Sequence, residues 1–423
     1  MDNKDFDIRI VAGKGVVKQI PKFINEWRCK KAFVVADQNT YKAAGEMVCS
    51  ILDNSATSYS KYILSQEEPT PDEQTVGSVV MHFDTTCDVI IGVGSGVIND
   101  TCKILSNITK CPYFIVATAP SMDGYASATS SMERDGLKVS LASRCADVVI
   151  GDVDIMKNAP MKMLQAGLGD MLAKYVSICE WRIAHIITGE YYSEEIADMV
   201  RKALKRCVEN ADGLMKRDEK AVEAVFEGLI ICGKAMALAG VSRPASGIEH
   251  YFSHIWDMRA LEFGTKAELH GIQCAVGTLM ALQLYEQIKT IKPNADKACS
   301  YAKSFDFSAW SCTLKEFLGK GADAMIALEE KEQKYDVKKH SVRLQKILEH
   351  WDDILRVMEE ELPASEDIAA LLNKIGAPKA AEEIGVSAQA LSKSFCATKD
   401  IRDKYVLSRL AWDLGVLDEL TVL

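Results

Sequence analysis

The sequence predicts a layered α/β region through residue 156 and an all-helical region from 157 to 423. Three observations predict it. Short apolar, β-branched runs at 31–36, 89–93 and 113–117 alternate with helical stretches, which is the pattern of βαβ units with buried parallel strands. Glycines or polar residues stand at the carboxyl ends of those runs, where ligands of parallel sheets bind. After Asn158-Ala159-Pro160 strand signals cease and apolar residues recur at helical spacing.

The first run, KAFVVA at 31–36, ends at Asp37. An acid there serves either a ribose hydroxyl of a dinucleotide or the cap of the next helix. A helix is expected at 41–52 and a strand at 61–64. Thr70-Pro71-Asp72-Glu73 then supplies an N-cap, a proline at the first helical position and a capping-box glutamate for a helix reaching Phe83. The strand at 89–93 carries Gly92, Gly94 and Gly96, and a helix should follow. Its N-terminal amides and dipole would favour an anion, although an ordinary strand-turn-helix fits the glycines equally well. Val97 stands where the last glycine of G-x-G-x-x-G belongs. The strand at 113–117 runs into Thr118-Ala119-Pro120-Ser121-Met122-Asp123-Gly124. Further strands are expected at 138–141 and 147–150, joined to it by the Ser- and Thr-rich segment 127–136, read as a loop or hairpin.

The helical region opens with Gly167-Leu168-Gly169-Asp170. The stretch 218–240 is apolar on most faces, which places it centrally, and Gly240 ends it. Ser246-Gly247-Ile248-Glu249 and Thr265-Lys266-Ala267-Glu268 read as capping boxes for the helices bearing His250 with His254 and His270. The charge run 331–343 reads as a solvated helix face.

Composition narrows the function. A hydrophobic content of 48% with 26% charged residues is that of a globular chain, and a net charge of -10 argues against a general nucleic-acid binder. Thirteen scattered cysteines without a C-x-x-C pair fit reduced thiols in a cytoplasmic protein. The start, Met-Asp-Asn-Lys-Asp, lacks a signal-peptide core, and the most apolar helical stretch, 229–239, is interrupted by Lys234, so no membrane span is expected.

Asp170, His250 and His270 are the candidate metal ligands, because a catalytic divalent ion wants about three N and O donors and an open position. The alternative for Asp170 is a charge complementing a helix dipole. Position 251 is tyrosine, so the H-E-x-x-H protease pattern is absent. His82, His185, His340 and His350 read as structural or surface residues.

Taken in order, Gly94-Ser95-Gly96, Asp100 and Lys103, Thr118 through Gly124, Gly167 through Asp170, Ser242-Arg243-Pro244-Ala245-Ser246-Gly247 through His250 and His254, and Leu269-His270-Gly271 form a set that resembles the sn-glycerol-1-phosphate dehydrogenases. That family lies within the superfamily of iron-dependent alcohol dehydrogenases, glycerol dehydrogenases and dehydroquinate synthases. The resemblance covers roughly residues 30–285. It implies a dehydroquinate synthase-like fold, with a Rossmann-like dinucleotide-binding domain and an all-α metal- and substrate-binding domain. It implies metal ligation by Asp170, His250 and His270, substrate contacts from Asp123, His254 and Asp170, and cofactor contacts from Gly94, Ser95, Gly96, Val97, Asp100, Thr118, Ala119, Pro120, Ser121 and Ser127. Ser95 departs from the three consecutive glycines usual there.

The implied reaction is reversible hydride transfer with NAD(P)(H) between dihydroxyacetone phosphate and sn-glycerol 1-phosphate, on one divalent ion, nickel or zinc foremost and ferrous iron next. His254 is expected to bind substrate and relay a proton, and Arg243, with Lys234 behind it, to hold the substrate phosphate. The alternatives are a dehydrogenase of glycerol or another unphosphorylated polyol, and a catalytically silent nucleotide-binding scaffold. A lyase of the dehydroquinate synthase type is disfavoured, since no lysine-rich site is evident. The residues leave open whether the chain works alone or as a homo-oligomer.

Overall fold

The sheet expected from the alternating runs is a six-stranded parallel sheet in the order β1-β8-β5-β4-β2-β3, with strands β1 (Arg9–Gly13), β2 (Lys31–Asp37), β3 (Ser58–Leu64), β4 (Val89–Gly94), β5 (Tyr113–Ala117) and β8 (Val148–Asp152). The computed structural model describes residues 8–422, so the Met1–Asp5 stretch read for a signal peptide lies outside them. Every residue of β4 and β5 is buried, which explains their unbroken apolar character. The chain leaves β2 for β3 on one side and returns to β4 on the other, so the direction of winding reverses between β2 and β4. Asp37 and Gly94 stand at the carboxyl ends of those neighbours, at the switch point where such sheets bind ligands.

Helices α1 (Ile20–Glu26) and α2 (Glu46–Asn54) cover one face through Phe23, Val48 and Leu52, packed with Val34, Phe114 and Val148 of the sheet. Helix α3 (Glu73–Met81) begins later than expected. Asp72, rather than Thr70, caps it by accepting the Thr75 N–H at 2.7 Å. Thr70 and Pro71 stay outside the helix, and the Pro71 carbonyl takes the Glu133 N–H at 2.8 Å. Helix α4 (Gly96–Thr109) follows β4 directly.

Two strands differ from expectation. The run around 138–141 belongs to a separate antiparallel hairpin of β6 (Thr129–Arg134) and β7 (Leu137–Ala142). Strand β1 was not read from the sequence; none of its residues is fully buried, and it pairs only with β8.

The secondary structure becomes helical after Met156, as expected, yet the chain packs as two units divided elsewhere: Met1–Met171 with Lys202–Gly240, and Leu172–Arg201 with Val241–Leu423. Helix α5 (Met161–Thr188) and helix α6 (Glu194–Asn210) each run from one unit into the other. Helix α7 (Glu219–Ala239), capped by Asp218 and ended by Gly240 at φ 68°, joins the first unit. It does so because Phe226 seats on Gly151 of β8, where a Cβ would lie 2.1 Å from the ring.

The second unit is helical. Helices α8 (Ile248–Phe263) and α9 (His270–Lys289) pack side by side, and α9 buries residues all round its axis. The later charge run is not one solvated face. It breaks at Gln333 (φ 49°), and Arg343 beyond the break forms a fork-like pair with buried Asp413, both contacts at 2.8 Å. Among the described residues no helix is long and apolar enough to cross a membrane.

Candidate active site

The first unit shapes the segment from Thr118 to Ser127 around the end of β5. Two helices approach it through glycines. A Cβ on Gly167 of α5 would fall 1.7 Å from the Pro120 carbonyl oxygen, and one on Gly233 of α7 would fall 2.8 Å from the Ala126 Cβ. From the third side Lys103 of α4, fully buried, gives its ammonium to the Gly124 carbonyl, the Ser127 hydroxyl at 3.0 Å and the Thr129 carbonyl at 3.1 Å. Burial pulls the Lys103 pKa down, and the nearby Asp100 carboxylate opposes that pull. The Tyr125 hydroxyl donates to the Ala119 carbonyl at 2.8 Å. The Thr118 N–H reaches the Gly94 carbonyl at 3.1 Å and ties this segment to the glycine loop.

The glycine loop fits a dinucleotide phosphate. Ser95 precedes α4 without any side-chain capping bond, so the first amides of the helix are left for another acceptor. A Cβ on Gly96 would meet nothing nearer than the Met122 side chain at 3.9 Å. Packing within the chain therefore does not demand glycine there, whereas close approach of a ligand to the backbone would.

Two of the expected cofactor residues have duties of their own. Asp37 caps the turn after β2, accepting the Asn39 and Thr40 N–H groups through one carboxylate oxygen, each at 2.8 Å. Asp100 faces the hairpin, with the Ser131 N–H at 3.3 Å and the Lys103 ammonium at 3.7 Å.

Asp170 lies well inside α5 rather than at a helix start, so complementing a dipole does not account for it. It sits on the turn through which α5 passes into the second unit, and it is fully buried. One of its oxygens accepts the Asp123 N–H at 2.9 Å. The ligand atoms of Asp170, His250, His270 and Cys274 all lie within 4.8 Å of one another.

Each imidazole is oriented by its Nδ1. His250 Nδ1 meets the Glu249 carboxylate at 2.8 Å, and His270 Nδ1 meets the Ser253 hydroxyl at 2.8 Å. The Ser253 hydroxyl donates to Gln273 Oε1 at 2.6 Å, so it accepts from His270. With Nδ1 the donor in each ring, Nε2 carries the lone pair, the arrangement that outer partners impose on ligating histidines. The donor set of carboxylate, imidazoles and thiol fits a borderline divalent cation such as zinc, nickel or ferrous iron.

Glu249 is fully buried, and the same oxygen accepts the Gly247 N–H at 2.6 Å. This reach-back replaces the expected capping box. Gly247, not Ser246, is the cap of α8. The box expected at 265–268 is absent too: α9 starts at His270 itself, with Leu269 as its uncapped N-cap residue. Glu180 also faces Gly247 and accepts the Ile248 N–H at 2.9 Å. Burial first, and then the Glu249 charge, push the Glu180 pKa up to about 8. His254 lies one turn beyond His250, its ring 6.3 Å from that of His270.

Arg243 does not stand free for a phosphate. It is 3% exposed, grips both oxygens of Glu190 at 2.5 and 2.7 Å, and donates to the Tyr405 carbonyl at 2.8 Å. Lys234 is exposed on α7. The histidines set aside in the sequence are each bonded away from this site: His82 to the Ser78 carbonyl, His185 to that of Glu190, His350 to the Asp353 carboxylate and His340 to the Asp413 carbonyl at 2.9 Å.

Sequence reasoning missed two members of the site. Cys274 follows His270 by one helical turn, a spacing that puts both on one face. Burial opposes ionisation of its thiol, but His250 and His270 outweigh that and lower its pKa. Glu249 was read only as a cap, though its place beside His250 was visible.

A model of the iron-containing alcohol dehydrogenase family matches residues 11–160. A glycerol-1-phosphate dehydrogenase [NAD(P)+] of Halalkalibacterium halodurans is 32% identical over 277 residues, 65% of this chain and 69% of that protein. One of Methanosarcina mazei is 33% identical over 277 residues, 65% of this chain and 76% of that protein. Another, of Geobacillus thermodenitrificans, is 27% identical over 389 residues, covering 91% and 87%. Among solved structures, a glycerol dehydrogenase of Schizosaccharomyces pombe superposes with a TM-score of 0.62 at 17% identity, over 97% of this chain and 89% of that one. A maleylacetate reductase of a Rhizobium species gives 0.60 at 14% identity, over 97% and 95%. These two share the fold.

Proposed function

This chain belongs to the glycerol-1-phosphate dehydrogenase family, and from that premise we propose that it interconverts dihydroxyacetone phosphate and sn-glycerol 1-phosphate with NAD(P)(H) and one divalent metal. The observation that carries the reading is the convergence of Asp170, His250 and His270, with both imidazoles turned by their Nδ1 partners. When bound, the metal supplies Lewis-acid polarisation of the substrate carbonyl and the nicotinamide supplies the hydride.

The chain's own residues do the rest. Gly94, Ser95, Gly96 and Val97 receive the pyrophosphate at the uncapped start of α4, and Thr118, Ala119, Pro120, Ser121 and Ser127 line the cofactor's other side. Asp123 orients a substrate hydroxyl, its backbone N–H already fixed on Asp170. His254 contacts substrate and relays the proton. Asp37 keeps a second carboxylate oxygen for the ribose. Zinc or nickel suits two imidazoles and a carboxylate best, and ferrous iron next. We place the enzyme in the cytoplasm, in keeping with thirteen free thiols, and expect a homo-oligomer.

The engagement of Arg243 favours keeping a second reading, a dehydrogenase of an unphosphorylated polyol. Oxidation of NADH and NADPH by protein reconstituted with nickel, zinc or iron separates the two when dihydroxyacetone phosphate is compared with dihydroxyacetone. A preference for the phosphate ester of about a hundredfold, equal to about 2.7 kcal/mol at the transition state, supports the first. Equal rates support the second, and absence of turnover with every metal would overturn both.

A further inference from the structure

We infer that Cys274 is a fourth, sulfur ligand of the metal, which makes the resting site an N, N, O, S set that selects zinc-like over harder cations and would take the substrate oxygen as a fifth ligand. The inference rests on the metal reading of Asp170, His250 and His270 given above. Its own ground is geometric.

The Cys274 sulfur lies 3.6 Å from His270 Nε2, the nitrogen that carries the lone pair when Nδ1 donates to Ser253, and within 4.8 Å of the Asp170 and His250 ligand atoms. Zinc–sulfur and zinc–nitrogen bonds of about 2.3 and 2.0–2.1 Å set neighbouring ligands of a tetrahedron about 3.5 Å apart. The observed separation therefore already matches a shared ion. His270 and Cys274 are one turn apart on α9, whose first residue is His270, so the helix itself fixes the pair. Cys274 is fully buried. Ligation forms a metal–sulfur bond as the thiol proton leaves to solvent, with no change in oxidation state. Thiolate ligation shifts preference towards zinc, while magnesium and manganese, which prefer oxygen, are disfavoured.

Cobalt(II) reports the bond directly. Chelator-stripped full-length protein is titrated with cobalt(II) without oxygen and its spectrum recorded, alongside Cys274→Ala, Cys274→Ser and His270→Ala. The serine variant serves if the alanine variant fails to fold by circular dichroism. The expected result is visible d–d bands together with a near-ultraviolet sulfur-to-cobalt band in the wild type. Either Cys274 variant should keep the d–d bands, lose the sulfur band and bind zinc at least about tenfold more weakly in competition with a chelating dye.

Wild-type d–d bands without the sulfur band, or a sulfur band that survives in the Cys274 variants, would overturn the sulfur ligand and leave the three-residue site standing. Cobalt that does not bind at all, or binds regardless of His270, would overturn the metal reading and the inference with it.

Discussion

Replacing Gly167 by alanine tests whether α5 sets the shape of the cofactor segment, and replacing Gly77 supplies its control. Both are interior helical glycines, and at either one alanine is favoured by about 0.8–1.0 kcal/mol on helix propensity alone. At Gly77 of α3 an added Cβ would meet nothing within 4 Å, so Gly77→Ala should realise most of that gain. At Gly167 the Cβ would stand 1.7 Å from the Pro120 oxygen and 2.9 Å from Val225 Cγ1. The valine can turn aside. The carbonyl is backbone, held on one side by the Tyr125 bond to Ala119 and on the other by the Asp170 bond to Asp123. Overpacking costs about 1–3 kcal/mol, and a backbone obstacle puts this case at the upper end. After the propensity gain is subtracted, Gly167→Ala should lose about 2 kcal/mol. Each kcal/mol moves the midpoint of a domain of 150–250 residues by about 2–4 °C. Thermal unfolding should therefore show a fall of about 4–8 °C for Gly167→Ala and a rise of about 2–4 °C for Gly77→Ala. The KM for NAD(P)H should rise only in the former. A Gly167→Ala protein as stable as wild type, or one destabilised with an unchanged cofactor KM, would refute the reasoning.

Two further predictions concern the second unit. Glu180 has its pKa raised from 4.5 to about 8 in the folded protein, so the folded state holds a proton that the unfolded chain releases. Its contribution is complete below pH 4.5 and is lost as pH rises to about 8. The midpoint of wild type relative to Glu180→Gln should fall across that window, and a pH-independent difference would contradict the assignment. Arg243→Met should cost about 2 kcal/mol in urea unfolding, less than the 3–5 kcal/mol of a fully buried pair because Glu190 is 29% exposed. Its KM for dihydroxyacetone phosphate should stay near the wild-type value, and a tenfold rise without loss of stability would restore Arg243 as the phosphate cation.

The parts of the fold that the sequence made legible are those where burial leaves a pattern. Strands β4 and β5 are buried on both faces and read as unbroken apolar runs, and α7 is bounded by an aspartate cap and a terminal glycine. Strand β1 escaped because it is short, never fully buried and paired only with a strand far along the chain. The expected starts of α3, α8 and α9 slipped by one to four residues, and at α3 and α8 acidic side chains found other amides: Asp72 takes that of Thr75, and Glu249 that of Gly247. Asp170, His250 and His270 were legible as residue types, and the resemblance grouped them. The engagement of Arg243 by Glu190 was not legible, since a long-range pair leaves no local trace. Cys274 left a local trace, four residues after His270 on one helical face, but it was one of thirteen scattered cysteines and nothing in the sequence singled it out.

The contrast between the Nδ1 partners of the two histidines has an electronic consequence. A carboxylate behind His250 enriches its ring and makes it the stronger donor, while the neutral hydroxyl behind His270 leaves that ring weaker. The weaker donor is also the more accessible one, half-buried where His250 is 5% exposed. A bound metal would thus meet a firm donor at His250 and a weaker, more accessible one at His270.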